Sequence, residues 1–185
     1  MKKILVVGGS TRARRISPCV AGWVAEVGRS AIPHAFELVD LKDWPLPMDD
    51  EPGIPAAGDN YESELTRAWS HKVGGADAFV FVTPQYNWGY PAPLKNALDH
   101  LYNEWSAKPA MIVTYGGHSG GKCAEQLRQV LEALSMRLVP TMPGFKIRRQ
   151  LIEANTGMID PETEFGDHKL NLELAFSELS EGLSG

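Results

Sequence analysis

The chain has 185 residues, of which 43% are hydrophobic and 22% charged, ordinary proportions for a soluble globular protein and enough length for one domain with a sizeable core. Its net charge of −5 argues against a broad nucleic-acid surface, which needs a basic face. Cys19 and Cys123 stand far apart, in neither C-x-x-C nor metal-ligand spacing, which suits a reduced, cytoplasmic protein without a disulfide framework.

Met1-Lys2-Lys3 precedes an apolar run, Ile4 to Val7, that is too short for a signal peptide and stops at Gly8-Gly9. KKILVVGG therefore reads as a strand buried on both faces. From Ile16 to Ser30, Ile16, Val20, Trp23, Val24 and Val27 recur at helical spacing. AFELVDL, residues 35–41, reads as a second strand. The loop KDWPLPMDDEPGIPAAGD is too rich in breakers for a regular element. Its Asp49-Asp50-Glu51 cluster could hold a metal, but the proline-rich setting favours a solvated loop. A helix is expected over 61–73, and DAFVFVT is a third strand. Leu94, Leu98, Leu101 and Trp105 predict a helix over 92–105. KPAMIVTYGG repeats the strand-then-glycine design. Leu127, Val130, Leu131 and Leu134 predict a helix over 121–136. RLVPTMPGFKI offers a fifth strand, irregular at its prolines, and 166–181 a closing amphipathic helix.

Strand and helix alternate throughout, which predicts an α/β protein with a parallel sheet covered on both faces. Five strands point to a flavodoxin-like three-layer sandwich of strand order 2-1-3-4-5. Ligands of such sheets sit beyond the carboxyl ends of the strands, near the switch point. The loops after strands 1, 3 and 4 are GGSTRARR, TPQYNWGYP and YGGHSGGK.

The first loop joins Ser10 and Thr11 to Arg12, Arg14 and Arg15, with Ser17 in the first helical turn. A helix N-terminus with hydroxyls and guanidinium groups is a ready anion site. The other reading is an N-cap with a solvated basic turn. G-x-G-x-x-G is missing, so a single phosphate group fits better than a dinucleotide. The loop after strand 4 satisfies G-x-x-x-x-G-K through Lys122, but Cys123 stands where a nucleotide-triphosphate loop needs Ser or Thr for magnesium. Gly116 and Gly117 instead let backbone N–H groups approach a flat ligand. His118 either faces that ligand or caps the next helix, and Lys122 reads as a solvated helix residue. Pro84, Gln85, Tyr86 and Asn87 form a stiff loop that presents amides and a phenol, suited to a planar heteroaromatic. Trp88 and Tyr90 either wall that ring or pack as core.

GSTRARR, TPQYNWGYPAPLKNALDHLYNEW and YGGHSGGKCAEQLRQVL together resemble the NADPH-dependent FMN reductases, a family that includes flavodoxin-like quinone, azo-dye and chromate reductases. The blocks span residues 4–135, and the PQYN…P…LKNA pattern is the most specific. The resemblance implies one FMN-binding domain over residues 1–185. FMN phosphate would lie on Ser10, Arg12 and Arg15, to which the Ser17 hydroxyl in the first helical turn could add a donor. The isoalloxazine ring would lie on Pro84, Gln85, Tyr86 and Asn87, with its pyrimidine end at Gly116, Gly117 and His118. It further implies NADPH as donor, a quinone or similar small molecule as acceptor, ping-pong kinetics, and a homodimer or homotetramer. No catalytic side chain and no metal is expected. The alternatives are a flavodoxin-type electron carrier, disfavoured by the arginines near the site, and a flavin-based redox sensor.

Overall fold

A computed structural model of the chain describes residues 1–48, 51–58 and 60–184. Asp49 and Asp50, read above as part of a solvated loop, lie outside the described residues. Among the described residues six strands run in parallel: β1 (Lys3–Gly8), β2 (Ala35–Asp40), β3 (Ala78–Pro84), β4 (Pro109–Gly116), β5 (Arg137–Leu138) and β6 (Gly144–Lys146). The order is β2-β1-β3-β4, with β5 and β6 both paired to β4. In register, Gly8 stands opposite both Asp40 and Val82, and Pro84 opposite Tyr115. The first, third and fourth loops therefore leave the sheet side by side.

The central strands alternate between two cores because successive side chains point to opposite faces. Ile4, Val6, Val80 and Met111 pack under helices α1 (Ser17–Ala31) and α7 (Lys169–Ser184). Leu5, Val7, Phe79, Phe81 and Ile112 pack under α2 (Glu64–Gly74), α3 (Ala92–Asp99) and α4 (Gly121–Ala133). Both faces are covered, which is why these strands read as unbroken apolar runs.

Three elements depart from the sequence reading. The fifth strand is split into β5 and β6, because Pro140 and Pro143 lack the N–H a parallel ladder needs. Helix α3 stops at Asp99 rather than continuing to Trp105. The Trp105 indole N–H donates to the Leu98 carbonyl at 3.1 Å, and the His100 ring is held between Thr66 Oγ1 at 3.0 Å and the Pro47 carbonyl at 2.7 Å. These side chains capture the end of the helix, while Leu101 and Trp105 stay buried in the pattern that suggested a longer one. Finally, residues 149–165 contain two short helices, α5 (Arg149–Ala154) and α6 (Pro161–Phe165), ahead of α7.

Candidate functional site

The loop after β1 leads into α1, whose first turn has Pro18 but no side-chain cap. The N–H groups of Ser17 and Cys19 meet no acceptor among the described residues, so the helix presents free donors at its positive end. Ser10 is fully buried, and its Oγ shares a 2.8 Å hydrogen bond with the Tyr86 hydroxyl. The Arg12 guanidinium lies over the Tyr86 ring, 3.5 Å from its centroid, a cation–π contact. Arg15 donates to Asp40 at the end of β2 and to the Arg12 carbonyl. Arg14 is exposed and has no ion-pair partner among the described residues.

The loop after β3 stays tied to the sheet, since Gln85 donates its N–H to the Tyr115 carbonyl at 2.9 Å. The Gln85 side-chain carbonyl accepts the N–H of Cys123 at 3.2 Å and so caps α4. Its amide, read from sequence as a ligand contact, thus also has a structural job. Tyr86 and Gly89 exchange both backbone hydrogen bonds across a tight turn. Asn87 and Trp88 at its tip have φ of 48° and 74°, as a type I′ turn requires. A tryptophan in that conformation is strained, and such strain collects at functional sites. Its side chain is 63% exposed, with Lys122 Nζ 5.9 Å above the ring.

In the loop after β4, the Gly116 carbonyl accepts the N–H groups of Ser119 and Ile147. The N–H groups of Gly117 and His118 donate to nothing among the described residues. Gly120 has φ of +79°, and a Cβ there would stand 2.5 Å from Thr114 Cβ; only glycine lets the chain turn into α4 at this point. Lys122 pairs weakly with Glu125 on the surface. Burial pushes the Cys123 thiol up to about 12, so it is an inert packed group.

These loops enclose a cavity of about 270 Å³. Pro84, Gln85 and Tyr86 form one side, and Tyr115, Gly116 and Gly117 another. Arg12, Arg14 and Arg15 form a basic rim. Four buried side-chain polar atoms among the described residues lack a hydrogen-bond partner; Arg15 Nε and the Tyr115 hydroxyl belong to cavity-lining residues, and Ser17 Oγ sits beside Tyr115 at the start of α1. Burial pushes the Tyr115 phenol up, partly offset by the neighbouring Ser17 hydroxyl. Stranded buried polar groups cost about 1–3 kcal/mol each, a cost that a polar ligand group placed here would relieve.

Of the residues singled out from the sequence, Arg12, Arg15, Pro84, Gln85, Tyr86, Gly116 and Gly117 line the cavity. Ser10 and Ser17 are buried in the first loop and the helix it opens. Asn87 and His118 are exposed and do not line the cavity. The remaining wall comes from residues that sequence reading did not single out: Ile147, then Leu151 and Ile152 on α5, then Met158 and Ile159 beyond it.

The order of strands and the cavity at their carboxyl ends define a flavodoxin-like α/β protein with a basic-rimmed cavity where such sheets bind ligands. The chain belongs to the NADPH-dependent FMN reductase family, whose model it matches over residues 2–146, and is thus an oxidoreductase using FMN and NAD(P)H. It is 54% identical to the NAD(P)H-dependent FMN reductase of Schizosaccharomyces pombe over 180 residues, 97% of this chain and 89% of that protein. It is 31% identical to the 2-hydroxy-1,4-benzoquinone reductase of a Burkholderia species over 173 residues, 87% of each chain. Among solved structures, the fold matches the flavoenzyme NAD(P)H:(acceptor) oxidoreductase FerB of Paracoccus denitrificans with a TM-score of 0.73 and 19% identity, covering 98% of this chain and 99% of that one.

Proposed function

We propose that the chain is a single FMN-binding domain that passes electrons from NADPH to quinones, and more broadly to azo compounds or metal oxyanions, by ping-pong kinetics. The observation that carries this reading is the meeting of unpartnered donors with a flat shelf in one cavity. Ser10, Arg12, Arg15 and Ser17, with the open N-terminus of α1, would hold the phosphate; the free Ser17 Oγ and Arg15 Nε fit it. Pro84, Gln85 and Tyr86, which line the cavity, would bear the ring. FMN, when bound, supplies the two-electron relay between nicotinamide and acceptor.

The chain's own part is binding, orientation and electrostatics. The free N–H groups of Gly117 and His118 would offer a fixed pair of donors to the ring, whose reduced form would need stabilising as an anion. His118 therefore contributes through its backbone, since its side chain faces solvent. Arg15 is engaged by Asp40, which leaves Arg14 as the free guanidinium at the rim for the 2′-phosphate of NADPH. A single cavity opening would serve donor and acceptor in turn, the basis of the ping-pong proposal. The same opening suits small molecules better than a protein surface, and three arginines there disfavour an electron carrier with an acidic rim. No helix among the described residues is long and apolar enough to cross a membrane. A cytoplasmic homodimer or homotetramer accords with the family resemblance and with the bare Trp88 beside the site.

The test is turnover of NADPH with a quinone by purified, flavin-containing protein. Bleaching of bound flavin without multiple turnovers would move the reading to a carrier or sensor.

A further inference from the structure

One wall of the cavity lies beyond the part of the chain that defines the family. The family match ends at residue 146, whereas Ile147, Leu151, Ile152, Met158 and Ile159 all follow it. This segment is firmly seated. Helix α5 ends at Asn155 in the left-handed region, φ 43°, and Gly157 follows at φ +79°. A Cβ on Gly157 would stand 3.2 Å from Arg14 Cα, so the turn rests directly on the backbone of the first loop. Thr156 Oγ1 accepts the Met158 N–H at 3.2 Å. Further along, Glu162 accepts the Trp23 indole N–H at 2.7 Å, and Glu164 pairs with Arg148. Both ends of the wall are thereby tied down.

Its five apolar side chains fall into two groups. Ile147, Leu151 and Ile159 pack in or against the core under α1 and α7. Ile152 and Met158 do not; they line the cavity while remaining 50% and 68% exposed. Ile152 Cδ1 stands 3.5 Å from where a side chain on Gly117 would begin, across the slot from the glycine turn. Exposed apolar surface beside an otherwise polar, basic rim gains free energy only when something apolar covers it.

We propose that Ile152 and Met158 form the acceptor-selecting wall, favouring flat apolar rings of the quinone class over small hydrophilic acceptors such as metal oxyanions. This rests on the FMN reading above and assigns a substrate preference within that site. The family-defining loops hold the cofactor, and this later segment sets what may lie against it.

The experiment compares wild-type protein with Ile152→Ser, Met158→Ser and the double variant, with Ile152→Leu as a conservative control. Flavin content and FMN affinity are measured first. Oxidised protein is then titrated with 1,4-naphthoquinone in the absence of NADPH, following fluorescence quenching. KM and kcat are measured last, with naphthoquinone and with chromate. The expected result is unchanged FMN retention, a naphthoquinone Kd and KM raised on the order of tenfold in the double variant, near-constant kcat, unchanged KM for chromate, and recovery in Ile152→Leu. Loss of FMN from the serine variants would make the wall part of the cofactor site and overturn the proposal. So would equal changes for both acceptors, or no change for either. If wild-type protein neither contains nor takes up flavin, the cofactor reading itself fails, an outcome separate from all of these.

Discussion

Ser10 and Tyr86 lie 76 positions apart and share a 2.8 Å hydrogen bond between their hydroxyls. The bond joins the loop after β1 to the loop after β3, and Arg12 lies over the same tyrosine ring. The two loops proposed to hold the phosphate and the ring are therefore one connected unit, joined through a phenol. Tyr86→Phe keeps the ring under Arg12 but removes the bond. Its expected cost is about 1 kcal/mol of stability, read as a lower melting temperature, with FMN retained more weakly. Tyr86→Ala removes both contacts and should cost more on both counts.

Arg12→Ala should weaken FMN binding on the order of tenfold to a hundredfold, the range for losing a charge-assisted contact. Arg149→Ala, which removes only an exposed pair with Glu153, should leave it unchanged. Equal flavin content in the two purified variants would remove Arg12 from the cradle.

Arg14 is the guanidinium left free at the rim, and Arg14→Ala should separate the two nicotinamide donors. KM for NADPH is expected to rise several-fold while that for NADH stays put, measured with one acceptor at saturation. Parallel changes would assign Arg14 to the shape of the loop instead.

Much of this arrangement is legible in the sequence, for stated reasons. β1, β3 and β4 are buried on both faces, so they appear as unbroken apolar runs ending in Gly or Pro. The three unusual loops follow them, and strand order then brings the loops together. Other features are side-chain events at long range. No periodicity reveals that the Trp105 indole takes the Leu98 carbonyl and ends α3 early, because Leu101 and Trp105 still point inward. Gln85 reads as a ligand amide, yet its partner is the N–H of Cys123, brought near only by the fold. The wall of Ile152 and Met158 had no signal beyond scattered apolar residues, since its meaning depends on Gly157 sitting against Arg14.

Trp88 occupies a conformation that favours glycine, φ 74°. Trp88→Gly would give an Asn-Gly type I′ turn and is expected to stabilise the protein by about 1 kcal/mol through relief of strain, seen as a higher melting temperature. A lower one would mean that the indole makes a compensating contact, in which case oligomeric state should change with it.

Alkaline pH should destabilise the protein through Cys123. Burial pushes its thiol up to about 12, against 9.0 ordinarily. Above pH 9 the unfolded chain loses this proton while the folded chain keeps it, so stability falls as pH rises. The contribution is fully present below pH 9 and is lost progressively toward pH 12. Cys123→Ala should flatten that limb in denaturant titrations at pH 8 and pH 10.5. Cys123→Ser, which completes the G-x-x-x-x-G-K-S pattern, should confer no ATP hydrolysis.

The most direct test of the cofactor assignment is the visible absorption spectrum of purified protein, before and after NADPH is added without oxygen. A two-band oxidised-flavin spectrum that bleaches with NADPH and returns with a quinone is the expected result, and it would place cofactor, donor and acceptor chemistry in the same protein. A colourless protein that stays colourless after incubation with FMN would contradict the cradle and the shelf together.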